Sequence, residues 1–317
     1  MKKIVIISAF LFTITVAFCS QQIPVGKATI KIIDEQGEPI VGATAGIAFN
    51  VPSGTPGGPV LSHEGATDNK GCFSASDSCN GIFYYGAKKD GYYEAHSIRY
   101  MYKDVKLGRL TPENPELTVM LKKIINPVPM YVRKVALQTP ELDKPIGFDF
   151  EVGDWIAPYG KGIQSDFIFT VLCRWQDMNN FYSQVNVSFK NPNDGLLEFA
   201  TPAATSSLLS PHAAPMDGFQ STWGREVSAD PVHGRKNWGT PKTQNFIFRT
   251  RTVVDENGKT TAANYGKIYG GIDSGGESGG KPYITFTYYY NPDSQSRSLE
   301  FDPKQNLAKE EKYPFPP

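Results

Sequence analysis

A period of two runs through most of this chain and constrains its fold more than any other feature. FDFEVGDWI (148–156) sets Phe148, Phe150 and Val152 on one face and Asp149 and Glu151 on the other. DFIFTVLCRW (166–175), FYSQVNVSF (181–189), NFIFRTRTVV (245–254), NYGKIYGGI (264–272) and YITFTYYY (283–290) follow the same rule. Side chains two apart share a face only on a strand, so these runs predict half-buried β-strands. Turn signals separate them. KATIKIIDEQGEPIVGATAGI (27–47) reads strand, turn at Gly37, strand; GATDNKGCFSA (65–75), GIFYYGAKKDGYYEA (81–95) and PELTVMLKK (115–123) continue the series. Turns every ~8–12 residues between short strands predict an all-β fold of sandwich type. The 30 glycines, 24 prolines and 12% aromatic residues agree with it. They exclude a coiled coil and a collagen-like rod.

At 317 residues the chain has room for two domains. The first extends over 22–124. Pro127, Pro129, Pro140 and Pro145 mark a semi-rigid linker over 125–145, with one candidate strand from Met130 to Leu137. A second antiparallel β-sandwich-like domain follows over 146–307, and 308–317 reads as a polar, Pro-rich tail. Within the second domain the alternation fails between Leu196 and Gln244. That stretch holds Trp223, Trp238, His212, His233 and five prolines, and predicts a long ordered loop excursion.

The N-terminus carries an address. Lys2 and Lys3 precede a fifteen-residue apolar run, Ile4 to Phe18, too short for the ~20 residues of a comfortable bilayer span. With the polar run that follows, 1–19 reads as a secretory signal peptide. VAFC, ending at Cys19, resembles the lipobox of bacterial lipoproteins, although Phe18 stands where that motif carries a small residue. Lipidation at Cys19 and ordinary signal-peptidase cleavage are therefore both open. Export to an oxidising compartment makes Cys72 and Cys79 candidates for a short-loop disulfide, worth about 2–3 kcal/mol. Cys173 shares a strand face with Phe167, Phe169, Val171 and Trp175, and reads as a buried thiol.

Two resemblances follow from these residues. IIDEQGEPIVGATA, ATDNKGCFS, KKDGYYEA and LTVMLKK, in that order, resemble the carboxypeptidase regulatory-like domain. This resemblance implies a seven-stranded, transthyretin-like and immunoglobulin-like sandwich, an accessory module of exported proteins without catalysis of its own. NVPSGTPGGPVLSHEG (50–65) is an insertion longer than a tight hairpin. The second domain, through GFDFEVGDWIAPYGKG, NYGKIYGG and YYYNPDSQSRSLEFDPKQNL, resembles the C-terminal part of uncharacterised exported proteins of Gram-negative bacteria. It implies no activity.

Charge narrows the partners. Thirty-two basic residues balance thirty-two acidic ones. Neither domain carries the basic footprint of a nucleic-acid binder. Contact with a membrane is expected only through an N-terminal lipid.

Catalytic patterns are incomplete. GESGG (276–280) matches G-x-S-x-G around Ser278, but no His follows His233, and strands flank it instead of a strand and a helix. It reads as a turn. Asp149 and Glu151 share a strand face, as a glycosidase pair would, but the opposing phenylalanines already explain the alternation as a polar outer face. DENGK (255–259) lacks the full calcium-loop series and reads as a hairpin turn, and His212 and His233 lack a third ligand. No catalytic residue, metal or cofactor is expected. The binding candidates are Trp155, Tyr159, Trp223 and Trp238, aromatic rings set among Gly, Pro and charged residues. The sequence therefore predicts an exported, non-catalytic protein of the periplasm or outer membrane that binds an envelope protein or a glycan. A secreted hydrolase, with the second domain catalytic and the first accessory, is the alternative.

Overall fold

A computed structural model describes residues 23–51, 59–106, 109–201, 204–239, 244–275, 282–312 and 314–317. The signal segment with Cys19, and GESGG with Ser278, lie outside the described residues.

Every regular element among the described residues is a strand. The first domain holds β1 (Val25–Ile33), β2 (Thr44–Asn50), β3 (Val60–Ala66), β4 (Cys72–Ser78), β5 (Ile82–Lys88), β6 (Ala95–Met101), β7 (Asp104–Lys106), β8 (Arg109–Thr111) and β9 (Glu116–Met120). A three-stranded sheet in the order β4-β1-β9 packs on a four-stranded sheet in the order β3-β2-β5-β6, and β7 and β8 form a separate hairpin. Ala28, Ile30 and Ile32 of β1 meet Ala45, Ile47 and Phe49 of β2 and Phe83 and Tyr85 of β5 in the core. β3 occupies the second half of the 50–65 insertion and pairs along the whole of β2.

Three turns share one construction. Asp34, Asp68 and Asp255 each accept, through Oδ1, the backbone N–H groups two and four residues on. The glycine three residues on, Gly37, Gly71 or Gly258, has φ of 85°, 74° or 77°. That left-handed position is one a side chain resists, so the D-x-x-G spelling fixes each turn, and the one at Asp255 closes the β18–β19 hairpin. These backbone donors hold the Asp68 carboxyl below its ordinary value. In DENGK the same donors engage Asp255, so it is a turn.

The second domain holds β10 (Val128–Gln138), β11 (Ile146–Asp149), β12 (Asp154–Trp155), β13 (Phe167–Asp177), β14 (Asn180–Ser188), β15 (Gly195–Ala200), β16 (Thr222–Asp230), β17 (Gly234–Lys236), β18 (Gln244–Val254), β19 (Thr260–Gly275), β20 (Tyr283–Asn291) and β21 (Phe301–Asn306). Two six-stranded sheets, β15-β18-β19-β20-β10-β21 and β12-β11-β13-β14-β16-β17, face each other. Aromatic rings dominate the layer between them. Phe150 stacks on Phe248 at 4.5 Å, and Phe148 meets Trp155, Phe169 and Phe286 edge-on. Such pairs add about 0.5–1.5 kcal/mol each beyond the area they bury.

Several sequence expectations are corrected. The linker is no linker: β10 pairs with β20 over eight positions and lies inside the sheet, because both its faces are covered, Val135 in the core between the sheets and Met130 and Val132 on the opposite face against Tyr289 and Phe301. The tail is not free either, since Phe315 packs against Tyr289 and the Pro317 carbonyl accepts from the Tyr269 hydroxyl. The 196–244 excursion contains most of β15 and all of β16 and β17, in opposite sheets. Between β15 and β16, residues 204–214 fill the seam between the domains. Ser206 N–H donates to the Met120 carbonyl, Ser207 N–H to that of Glu94, and buried Lys122 Nζ to that of Ser210.

The seam centres on Glu300, whose side chain is 1% exposed. It accepts from Tyr93 Oη at 2.8 Å and from the backbone N–H groups of Ile125 and Asn126. His212 bridges the domains, with Nε2 2.8 Å from Glu35 and Nδ1 2.9 Å from Glu300, the second contact off hydrogen-bond alignment. Fully buried Lys267 donates to the Leu299 carbonyl at 2.6 Å and to Tyr269 Oη at 2.8 Å.

Candidate functional site: an aromatic groove at the open end of the second sandwich

The inward positions of β13, β14 and β16 run past the end of the core. On β13 they are Phe167, Phe169 and Val171, all buried, then Cys173 and Trp175, both partly exposed. The register sets Trp175 opposite Phe181 and Cys173 opposite Ser183 on β14, and these opposite Ala229 and Val227 on β16. From the facing sheet come Tyr283 and Thr285 of β20 and, beyond a register shift between Tyr269 and Asp273, Asp273 to Gly275 of β19.

A hollow of about 550 Å³ opens there. Trp175 stacks on Phe181 at 5.1 Å, and Trp238 meets the same Phe181 ring at 5.6 Å. The Arg235 guanidinium sits 4.3 Å from the centroid of the Trp238 indole, which stays 50% exposed. Two polar contacts tie the sheets together: Ser183 Oγ to Ser274 Oγ at 2.7 Å, and an ion pair of Arg225 with Asp273. Arg225 also donates to the Gly239 carbonyl. Burial pushes the Cys173 thiol above its ordinary value, against a hydrogen bond with Ser183.

A second hollow of about 570 Å³ shares Arg225, Trp238 and Gly239 with the first. Its other walls are Glu198, Trp223, Gly224, Glu226, Asn237 and Gln244. Trp238 and Arg225 thus form a partition between an aromatic chamber and a polar one.

The four aromatic candidates divide. Trp238 lines both hollows, and Trp223 lines the second while packing on Phe246 at 5.1 Å. Trp155 does not belong to the site: it is 4% exposed in the core, and its indole N–H donates to the Gln138 carbonyl at 3.1 Å. The β11–β12 hairpin sets it opposite Phe148, which places the ring inward. Tyr159 is exposed, and its hydroxyl donates to Glu141. It follows β12, at the far edge of the sheet from β16 and β17. Trp175, Phe181, Arg225 and Asp273 are additions. The first two carry a sequence signal, because they continue the inward parity of buried neighbours.

Both cysteine expectations change. Cys72 and Cys79 are free thiols, the first opening β4 and the second just past its end, and the seven steps of extended chain separate their Cα atoms by roughly 23 Å, against the ~7 Å limit of a disulfide. Cys79 is buried and accepts from Gly81 N–H, and burial raises its thiol. Cys173 is half-buried at the groove, where the sheets no longer close over it.

The paired carboxylates are not an outer face. Asp149, 2% exposed, accepts from the N–H groups of Glu151, Val152, Ile163 and Gln164. Burial would raise its carboxyl, but these donors and Arg251 hold it below the ordinary value. Arg251 pairs with Glu151 and Asp166 as well. For Asp166, burial outweighs the guanidinium and raises the carboxyl. This cluster staples β18 to the β11–β13 region. Val152, expected inward, is 36% exposed because the strand ends at Asp149. His212 and His233 are far apart in role: the first bridges the domains, while the second pairs with Asp230 at an exposed turn.

No family profile and no curated protein matches this chain. Among solved structures, a 3-chlorocatechol 1,2-dioxygenase from Rhodococcus opacus is 9% identical over 33% of this chain, with a TM-score of 0.27; the chain spans 62% of that protein's length. The shaft pilin SpaA from Lactobacillus rhamnosus is 10% identical over 73% of this chain and 89% of its own, with a TM-score of 0.22. A putative carbohydrate binding protein from Bacteroides uniformis is 10% identical over 84% of this chain and 99% of its own, with a TM-score of 0.20. Scores of this size place no function on the chain.

Proposed function

We propose that this chain is a non-catalytic binding module exported to the cell envelope, and that it takes a glycan or an envelope protein at the groove around Trp238. The observation that carries this reading is the cluster Trp175–Phe181–Trp238, half-open to solvent at the end of a rigid sandwich. Aromatic rings left exposed on a fixed scaffold supply binding area at little entropic cost. The export address in residues 1–19 and the resemblance of the first domain to an accessory module support the envelope assignment. Under this reading the first domain spaces or anchors the second.

Isothermal titration of the exported chain against a panel of envelope glycans tests it. Trp238→Ala is expected to weaken binding by ~2 kcal/mol or more, as interface hot spots do, with the melting temperature little changed. Full binding by Trp238→Ala would refute the groove as the site. Covalent labelling of Ser278 by a fluorophosphonate probe would favour the hydrolase reading instead.

A further inference from the structure

We infer that the end of the first sandwich where β1 begins is a membrane-docking tip, which seats on an anionic phospholipid bilayer beside the N-terminal address. This goes beyond the groove reading, which asks for no contact between the folded domain and lipid.

Hydrogen bonds gather six strand ends into one surface. Cys79 N–H donates to the Pro24 carbonyl, Asn80 N–H to that of Asn50, and Tyr102 N–H to that of Gly81. Tyr102 Oη donates across the sandwich to the Lys27 carbonyl at 2.7 Å. The start of β1 therefore lies with the ends of β2, β4 and β6 and the starts of β3 and β5. Parity then sets the outer side chains. Phe49 and Phe83 point into the core, so Val60, opposite Asn50, and Met101, opposite Ile82, point out of it. On the facing sheet Ala28 and Ile30 are inward, which turns Val25 outward.

These outward residues are apolar and uncovered. Val25 is 65% exposed and Met101 59%, with Val60, Ile23 and Leu61 also exposed. Among the described residues of 23–111, the further large apolar side chain left exposed is Val41, in the turn after β1 at the opposite end. Single exposed apolar residues need no explanation, but five on one end of a small sandwich mark a contact surface.

The length of chain before β1 says what covers it. The apolar run of the address ends at Phe18, and four residue steps lead from Cys19 to Ile23, a reach of at most ~14 Å. An N-terminus held at a bilayer, by the address segment or by a lipid on Cys19, keeps the tip within that distance of the headgroups. Charge agrees. Lys27, Arg99 and Lys103 are exposed within two positions of Val25 and Met101, where their long stems let the cations meet phosphates while the apolar neighbours enter the interface. The carboxylates alongside are Asp77, engaged by His63 Nε2 at 2.8 Å, and half-buried Asp104. The other end of the same sheets carries Tyr93 and Met120, which bond into the second domain. Docking by the tip therefore leaves the second domain on the side away from the lipid.

The test is co-sedimentation of the chain from Ser20 onward, which holds every described residue and no lipid, with vesicles of phosphatidylethanolamine and phosphatidylglycerol. The wild type is expected to sediment with the vesicles. The double variant Val25→Asp, Met101→Asp should lose about tenfold or more in partition, and Val60→Asp alone several-fold, each keeping its fold by circular dichroism. Val41→Asp, the same change at the opposite end, should stay within about twofold of the wild type. A wild type that stays in solution, a double variant that sediments as the wild type does, or an equal loss in Val41→Asp would overturn the inference. So would a wild-type dimer in light scattering that the double variant dissolves, since the tip would then be covered by a second copy. Trp238→Ala should sediment like the wild type, which separates failure of the tip from failure of the groove.

Discussion

Replacing Glu300 by Gln should loosen the seam between the two domains. The side chain is 1% exposed, and its two oxygens take three donors, Tyr93 Oη, Ile125 N–H and Asn126 N–H, with His212 Nδ1 2.9 Å away. A Gln side chain of the same shape keeps one oxygen and turns the other into a donor. At least one donor is left without an acceptor, at ~1–3 kcal/mol. The charge-assisted bonds that remain weaken to neutral ones, and His212 loses one of its two carboxylates. The sum is about 3 kcal/mol. In a chain of 317 residues it lowers the melting temperature by roughly 4–5 °C. Tyr93 belongs to the first domain and Glu300 to the second, so the loss falls on their docking. Differential scanning calorimetry is expected to show one transition for the wild type and two for the variant, with the first domain melting earlier. Glu35→Gln, at a carboxylate 28% exposed, is the control and should cost under about 1 kcal/mol. A loss below about 1 kcal/mol for Glu300→Gln, with one transition retained, would refute the view that Glu300 holds the domains together.

Trp155→Ala should cost ~3–5 kcal/mol in urea unfolding and leave ligand binding intact, since the ring is core; a variant of unchanged stability would contradict the packing. Thiol titration of the unfolded, non-reduced protein should find Cys72, Cys79 and Cys173 all reactive, whereas a peptide pair joining Cys72 to Cys79 would overturn the β4 assignment. Burial pushes the Lys267 ammonium well below the ordinary lysine value of 10.5. Its folded form therefore binds the proton less readily than the unfolded chain, and its share of stability is lost as pH falls through the folded value. Lys267→Met removes that slope, so the melting temperature of the variant should gain on the wild type as pH is lowered from 10 to 6; a gap closing on acidification would reverse the sign. Feeding cells a labelled fatty acid should mark the wild type and spare Cys19→Ala; an unmarked, freely released wild type would leave simple secretion.

The all-β fold was legible because two-residue alternation survives wherever one strand face meets a core. Phe148, Phe150, Phe167, Phe169, Phe246, Phe248, Phe286 and Tyr288 lie inward as their parity requires. The prolines of 125–145 misled for a physical reason. Pro129 stands in β10, a strand bordered on one side by the short and irregular pairing with β21, where a missing N–H is tolerated. Asp149 and Glu151 misled because alternation describes strands, and their strand stops at Asp149, where four backbone N–H groups turn in on the carboxylate.

The groove was illegible for the reason that makes it a groove. β16 has the inward series Trp223, Arg225, Val227 and Ala229, which no alternation template scores as apolar. Arg225 is tolerated there because it faces Asp273 across an opening instead of a closed core. Trp155 and Trp238 show the same effect from the other side. Both stand beside glycine, aspartate or asparagine in the sequence, yet one is 4% and the other 50% exposed. Hydrogen-bonded pairing with Phe148 turns Trp155 into the core, whereas Trp238 follows β17, the last strand of its sheet, and rests on Phe181 and Arg235 among the described residues. Composition around a tryptophan therefore does not separate anchor from contact. Packing does: Trp155 is turned inward by its pairing with Phe148 and covered by Phe148 and Phe169, whereas Trp238 follows the last strand of its sheet and becomes a wall of the site.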